Sequence, residues 1–555
     1  MQRRTHSLIP ALLTPALLAS TLFAKPVVGQ VVNPLPPIRT DSGLIAGQTL
    51  PSGVKAWLGI PFAKPPIGAL RWRPPQPIRW EGVWNADRKM PECIQVLRPH
   101  RINHYFGEEA TSENCLYMNI WAPPGASAAS RLPVIVFIYG GGFTIGSSGI
   151  LLYDGEPLAK RGAVFVNFNY RLGILGFLAH PQLTSEQGGH SGDYGFLDQN
   201  AALAWIHRNI AQFGGDPARV MLAGQSAGAG SVTAQIFSPL SRGLFESAFL
   251  SSGCNWSGPE TTLAEGERTG LEIQKRLGAA DIDAMRQIPA DRILALQAEN
   301  QVMASSPGVW VGGVIDGYFL PKSKTALLEA RDFADVPLIA TSNQEDIDYA
   351  SSPLTHARSV SEYQAIAREL FGENADAFLK RFPVRDAAEI PEVAGRAARE
   401  AGMQGSARQC AQLKARYGAT ATYIGLFSRR HPYVPGVEIA DQNTATVGAY
   451  HTSDIPYWFG TLDALNHLRR TRNWTAADRR LSDEMMDVLI AFAGTGRPST
   501  HAIHWPAWVP GDEKRLVIGA TVTAQRLDVM RMDWLAVHPP ARSAGSARAR
   551  MSPRD

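Results

Sequence analysis

An α/β architecture built on a largely parallel sheet is the fold class this sequence predicts, and three observations carry it. Short apolar runs rich in β-branched and aromatic residues recur through the body of the chain, as strands buried on both faces require. A helical pattern lies between them, and strand alternating with helix means a parallel sheet covered by helices. No internal repeat and no clean linker divides the body, although 555 residues by length alone would suggest about three or four domains.

Taken in order, the chain opens with Arg3 and Arg4, an apolar stretch from Leu8 to Ala24, and small residues up to Gln30. That is the layout of a signal peptide over residues 1–30, cut within 24–30. Pro10 and Pro15 interrupt a stretch already short of the roughly 20 apolar residues a span needs, so no stable membrane insertion is expected after cleavage. The mature protein is expected to be secreted or periplasmic; the paired arginines are only a loose match to a twin-arginine signal. "AKPPIGALRWRPPQPIRW" near residue 70 reads as a rigid surface connection. The strands follow: "VIVFIYG" from Val134, "AVFVNFNY" from Ala163, "VMLAGQ" from Val220, "SAFLSSG" from Ser247, "VPLIATS" from Val336 and "ATYIGLF" from Ala421. Between the second and third, "LDQNAALAWIHRNIAQF" puts Leu203, Ile206, Ile210 and Phe213 on one helical face. Residues 31–538 form the folded body, and the Ala/Arg/Ser/Pro-rich tail 539–555 is expected to be disordered.

Composition excludes some functions. A net charge of +4 without a dense Lys/Arg run gives no footprint for a nucleic-acid partner. Export makes disulfides sustainable. Cys93 and Cys115 lie close enough in sequence to close a small loop, whereas the pairing of Cys254 and Cys410 is not legible from spacing.

The segment that points to chemistry is "VMLAGQSAGAGSV", residues 220–232. A serine hydroxyl is a poor nucleophile; it needs a base and a position where a substrate carbonyl can reach it. A sharp turn from strand to helix gives that position, leaves no room for side chains two residues away on either side, and so explains Gly224 and Gly228 around Ser226. The helix that follows points its first amides at the reacting centre. "YGGGF" at 139–143 ends an earlier strand with three glycines whose N–H groups are free to converge on an anion.

"FGGDPARVMLAGQSAG" from Phe213 resembles the signature of the type-B carboxylesterase/lipase family, within the α/β-hydrolase fold, and "ENCLYMNIWAP" from Glu113 resembles its second signature, with Asn114 where aspartate is usual. "LGIPFAKPPIGALRWRPP", "NYRLGILGFL", "VIDGYFLP" and "FAGTGRPS" extend the similarity from about residue 38 to 520. The resemblance implies one catalytic domain with a mostly parallel central sheet, flanking helices and large insertions. It implies a serine ester hydrolase that needs no cofactor and no metal. By family pattern and chain order the base is His451 in "GAYHTSDIPYWFG", with His431 and His467 as fallbacks. In "IATSNQEDIDYA" the strand alignment gives Glu345 as the acid over Asp346, although Gln344 and Asp346 replace the usual flanking aspartate and glycine. The oxyanion amides would be those of Gly141, Gly142 and Ala227. Cys93–Cys115 matches the family's first disulfide, while Cys254 and Cys410 resemble positions whose usual partners are missing, which leaves their redox state open between free thiols and a bond.

The substrate expected is a small soluble ester. Cholinesterases carry a glutamate beside the nucleophile and a tryptophan in the first disulfide loop; this chain has Gln225 and no tryptophan there, so choline esters are poor candidates. Arg98, His100, Arg101 and His104 make that loop cationic, which extends the expectation to anionic or bulky esters. Phe143 and Trp310 are candidate pocket residues beside Gln225. The competing readings are a lipase acting at lipid interfaces, which the short polar loop disfavours, and a non-catalytic binding module, which retention of Ser226, Glu345 and His451 disfavours.

Overall fold

A computed structural model describes residues 33–96, 110–298, 311–439 and 442–541. The signal-peptide reading, the cationic residues of the first disulfide loop, Trp310 and most of the tail lie outside the described residues.

Apolar, β-branched runs become strands hidden from solvent on both faces. The central sheet contains β1 (Asn33–Pro34), β2 (Gln48–Thr49), β3 (Lys55–Pro61), β4 (Tyr117–Ala122), β5 (Leu132–Ile138) and β6 (Val164–Phe168). It continues with β7 (Gly215–Gln225), β8 (Ser247–Ser251), β9 (Leu338–Asn343), β10 (Thr422–Phe427), β11 (Lys514–Ile518) and β12 (Val522–Arg526). Its order is β1-β2-β3-β4-β6-β5-β7-β8-β9-β10-β11-β12. From β6 to β11 neighbours run parallel, with Val136 of β5 opposite Val166 on one side and Leu222 on the other. Every residue of β6, β9 and β10 is buried, which is why these strands read as continuous apolar runs. The first four strands and β12 are antiparallel additions at the two edges.

The helical pattern forms α1 (Tyr194–Asn209), tightened into a 3₁₀ turn over Ile210–Phe213 and stopped by Gly214 at φ 92°. Leu203, Ile206, Ile210 and Phe213 are all buried, and Phe213 meets Trp57 of β3 edge to face at 4.9 Å. The next helix, α2 (Ala227–Phe237), leaves β7 directly. Between β9 and β10 the chain inserts α3 (Val360–Phe371), α4 (Ala375–Arg381), α5 (Ile390–Ala401) and α6 (Met403–Tyr417). Tyr363, Phe371, Phe378, Phe382 and Ile390 of this insertion close on a hydrophobic cluster of their own. After β10, α7 (Ala476–Thr495) lies along β5 and β7, and α8 (Val529–Val537) supplies Leu535 to the insertion's cluster.

One sequence expectation changes here and one open point closes. The Pro-rich stretch is not surface throughout: Trp72 is fully buried and donates its indole N–H to Ile174 O at 2.9 Å. Cys254 and Cys410, whose state the sequence left open, form a disulfide, as Cys93 and Cys115 do. Cys254 lies just past the end of β8 and Cys410 on α6, which covers the neighbouring strands, so 156 residues of separation collapse to 6.3 Å between Cα atoms.

A buried ion pair fastens α1 to the segment after β6. Arg171 grips Asp198 through Nε at 2.7 Å and Nη2 at 2.6 Å, its backbone N–H reaches the same carboxylate at 3.0 Å, and neither side chain is more than 4% exposed. Removing one partner strands the other without solvent. Asp198→Ala is therefore expected to cost about 3–5 kcal/mol, measured from the denaturant midpoint at constant slope; a loss under about 1 kcal/mol would contradict the pair's role.

Candidate active site

Ser226 stands between β7 and α2 at φ 57° and ψ −124°, a conformation an L-residue resists. Two backbone hydrogen bonds hold it: its N–H donates to Ser251 O at the end of β8 (2.8 Å), and its carbonyl accepts from Gly230 N–H (3.0 Å). The surrounding glycines are a matter of space. A Cβ on Gly224 would overlap the Gly228 carbonyl, and one on Gly228 would overlap Ile138 O of β5. A Cβ on Gly140 would lie 2.9 Å from Ser226 Cβ, and one on Gly253 would lie 2.6 Å from Ser226 O. Three strand ends therefore meet at the serine with only backbone between them.

Gly141, Gly142 and Phe143 follow β5 with φ of 111°, 62° and 61°. The run is pinned: Gly141 O accepts from Thr144 and Ile145 N–H, both at 3.1 Å, and Phe143 O accepts from Gly173 N–H at 2.6 Å. Ala227 is the first residue of α2, where amides have no partner inside the helix. The Phe143 ring packs on Phe177 and Phe196 at 5.3 and 5.7 Å and faces the first turn of α2 near Gly230.

His451 is met by Asp346, not by Glu345. Its Nδ1 lies 2.5 Å from Asp346 Oδ1, and the carboxylate is fully buried. Asp346 also accepts from Ser252 Oγ (2.6 Å), Asn343 N–H (2.9 Å) and Ile347 N–H (2.9 Å). Burial pushes Asp346 up, but the charge of His451 and these donated hydrogen bonds hold it below the usual carboxylate range. Burial pushes His451 down, and Asp346, with Asp454 and Asp348 behind it, raises it above the ordinary imidazole value. With Nδ1–H given to Asp346, Nε2 accepts from the Gln225 amide nitrogen at 3.2 Å. Gln225 is fully buried beside Ser226 and bonds the histidine.

Glu345 is corrected for a geometric reason. Past β9 the chain stays extended and bridges Glu345 to Tyr450, and successive side chains of an extended chain point to opposite sides. Asp346 thus takes the ring, while the Glu345 carboxylate accepts from Gly448 N–H at 2.7 Å. The fallback histidines lie elsewhere: His431 is buried, pushed down to about 3 by burial and by Arg472, and bonded to Ser453 O; His467 is exposed beyond the turn Leu462–Asn466.

Asp454 is the site residue the sequence reading missed. It is completely buried, raised by burial, and accepts from Ser251 Oγ (2.7 Å), Asn343 Nδ2 (3.0 Å) and Trp458 Nε1 (3.1 Å). The available signal was one acidic residue directly before the apolar run Ile455–Trp458, where a charge needs donors from elsewhere in the fold.

A mostly parallel sheet flanked by helices, with Ser226 in a sharp strand-to-helix turn and a buried Asp346–His451 pair later in the chain, places the molecule in the α/β-hydrolase class. Within it the chain belongs to the carboxylesterase family, whose model matches residues 35–534. It is 36% identical over 492 residues to the fumonisin B1 esterase of Sphingopyxis macrogoltabida, covering 87% of this chain and 86% of that one. It is 29% identical over 494 residues to the para-nitrobenzyl esterase of Bacillus subtilis, covering 88% and 96%. A solved PNB esterase superposes with a TM-score of 0.71 at 28% identity, covering 89% of this chain and 99% of that one. The protein is a carboxylic ester hydrolase. Among the described residues no helix is long and apolar enough to cross a membrane.

Because a Cβ on Gly228 would meet the backbone of Ile138 and Tyr139 at the end of β5, Gly228→Ala is expected to destabilise the fold by about 1–3 kcal/mol. A thermal midpoint equal to that of the unaltered protein would show that the elbow has room to spare.

Proposed function

We propose that the protein is an exported serine esterase that works through an acyl-enzyme on Ser226, with His451 as general base and Asp346 as the orienting acid. The observation that carries this reading is the 2.5 Å contact between His451 Nδ1 and a buried carboxylate, beside a serine held in a strained turn. Ser226 Oγ attacks the ester carbonyl carbon as its proton passes to His451 Nε2. That nitrogen is bonded to the Gln225 amide at 3.2 Å, so the transfer requires this bond to open. Asp346 balances the imidazolium, and the amides of Gly141, Gly142 and Ala227 receive the oxyanion. Collapse breaks the C–O bond, His451 protonates the departing alcohol, and a water activated by the same ring then releases the acid.

The relatives carry different compounds in their names, so the ester is read from this chain's own residues. A neutral Gln225 beside the histidine supports soluble, anionic or bulky esters over choline esters. The paired cysteines and the signal-like start of the sequence support export to the periplasm or medium. A screen of choline, neutral and polycarboxylate esters tests the preference, and faster turnover of choline esters would reverse it.

His451 acts only when unprotonated. Since its folded value is raised, the base form is gained as pH rises through a point above the ordinary value, and the acid limb of kcat/KM is expected above about pH 6.5. Ser226→Ala is expected to abolish both turnover and organophosphate labelling. Asp346→Asn should lower kcat/KM by roughly 10³- to 10⁴-fold, and a loss below about tenfold would remove Asp346 from the mechanism.

A further inference from the structure

Glu345 is left with an unexplained position: a carboxylate next to the orienting acid, pointing away from the histidine and into the backbone that carries it. The segment that bears Asp346 is stitched to the segment that bears His451 at three successive points. Asn343 Nδ2 donates to Tyr450 O at 2.6 Å, Glu345 N–H donates to Ala449 O at 2.8 Å, and Glu345 Oε2 accepts from Gly448 N–H at 2.7 Å. On its other side the acid segment is tied to the helical insertion, where Arg399 of α5 donates to Gln344 O (3.1 Å) and Met403 N–H at the start of α6 donates to Asp348 (2.9 Å). The acid turn is thus fixed to the insertion, and the histidine loop is fixed to the acid turn.

Two of the three stitches use a side chain, the buried Asn343 and the half-buried Glu345, and only the second faces a glycine. A Cβ on Gly448 would run into the Glu345 carboxylate. Gly448 has no left-handed backbone of its own to explain the glycine, since it is not among the positive-φ residues. The missing side chain at 448 therefore makes room for the carboxylate at 345.

We propose that Glu345 is a positioning residue: by holding Gly448, it sets the distance between His451 and Asp346 and so keeps the imidazole in its working orientation. This rests on the assignment of Asp346 and His451 above. The charged groups that face Glu345 are Arg399 and Glu392 of α5 and Arg430 beyond β10, so the carboxylate sits at a junction of the insertion, the sheet and the histidine loop. A displaced ring costs rate without costing substrate binding, because the imidazole acts on the proton moved in the chemical step.

A double-mutant cycle tests the coupling, with every protein's active sites counted by organophosphate titration so that unfolded molecules do not enter the rates. Glu345→Ala is expected to lower kcat about tenfold with KM within about twofold. Glu345→Gln keeps an acceptor for Gly448 N–H and is expected to recover kcat to within about threefold of the unaltered protein. Gly448→Ala, which pushes the carboxylate out, should lower kcat by a similar factor. In the Glu345→Ala background the same Gly448→Ala change should cost less than about twofold, because the group it displaces is already gone. Unchanged kcat in Glu345→Ala, or losses that multiply in the double variant, would overturn the proposal. If Glu345→Gln loses as much as Asp346→Asn was expected to lose while Asp346→Asn stays active, Glu345 is itself the orienting acid, and the assignment of Asp346 fails as well.

Discussion

A serine backbone at φ 57° does not persist on its own account, and most of the site follows from what is arranged to keep it there. Strain of about 1–3 kcal/mol has to be offset by neighbours, here a hydrogen bond from the serine amide to the end of β8 and the close approach of β5. Only glycines at 140, 224, 228 and 253 allow that approach. The same crowding brings the glycine run 141–142 and the first amide of α2 to one rim, at the carboxyl ends of parallel strands. Geometry imposed by packing thus comes before chemistry in this molecule.

Charge placement forms a second layer on that rim. Asp346 remains ionised although buried because three donors and the His451 ring meet it. Asp454 is as fully buried and is pushed the other way, because its donors do not offset its burial. One carboxylate in direct contact and another at a remove both favour a charged ring at His451. Gln225, neutral and donating, occupies the remaining ring nitrogen without adding charge.

The parts legible in the sequence were those with a local physical signature. β5 to β10 could be read because both faces are buried, and α1 because its apolar stripe returns every three to four residues. Ser226 could be located because steric exclusion leaves a fixed spacing of glycines. The two-residue strands β1 and β2 and the last strand lack such runs: β12 is almost wholly exposed. Asp346 against Glu345 turned on which face of an extended segment each residue occupies, which only the bridge to Tyr450 decides. Cys254 and Cys410 became neighbours through the placing of α6, and nothing within 156 residues of chain announces that.

That second disulfide has a topological effect. The covalent ring it closes contains β9, the acid turn and the helical insertion as far as the middle of α6, and it begins next to the residues that hold the serine. A peptide bond cut anywhere between 254 and 410 would therefore release no fragment: nicked molecules would migrate as one species until a reductant parted them. The insertion is in this sense a captive segment, and damage to it stays attached to the centre it helps to position.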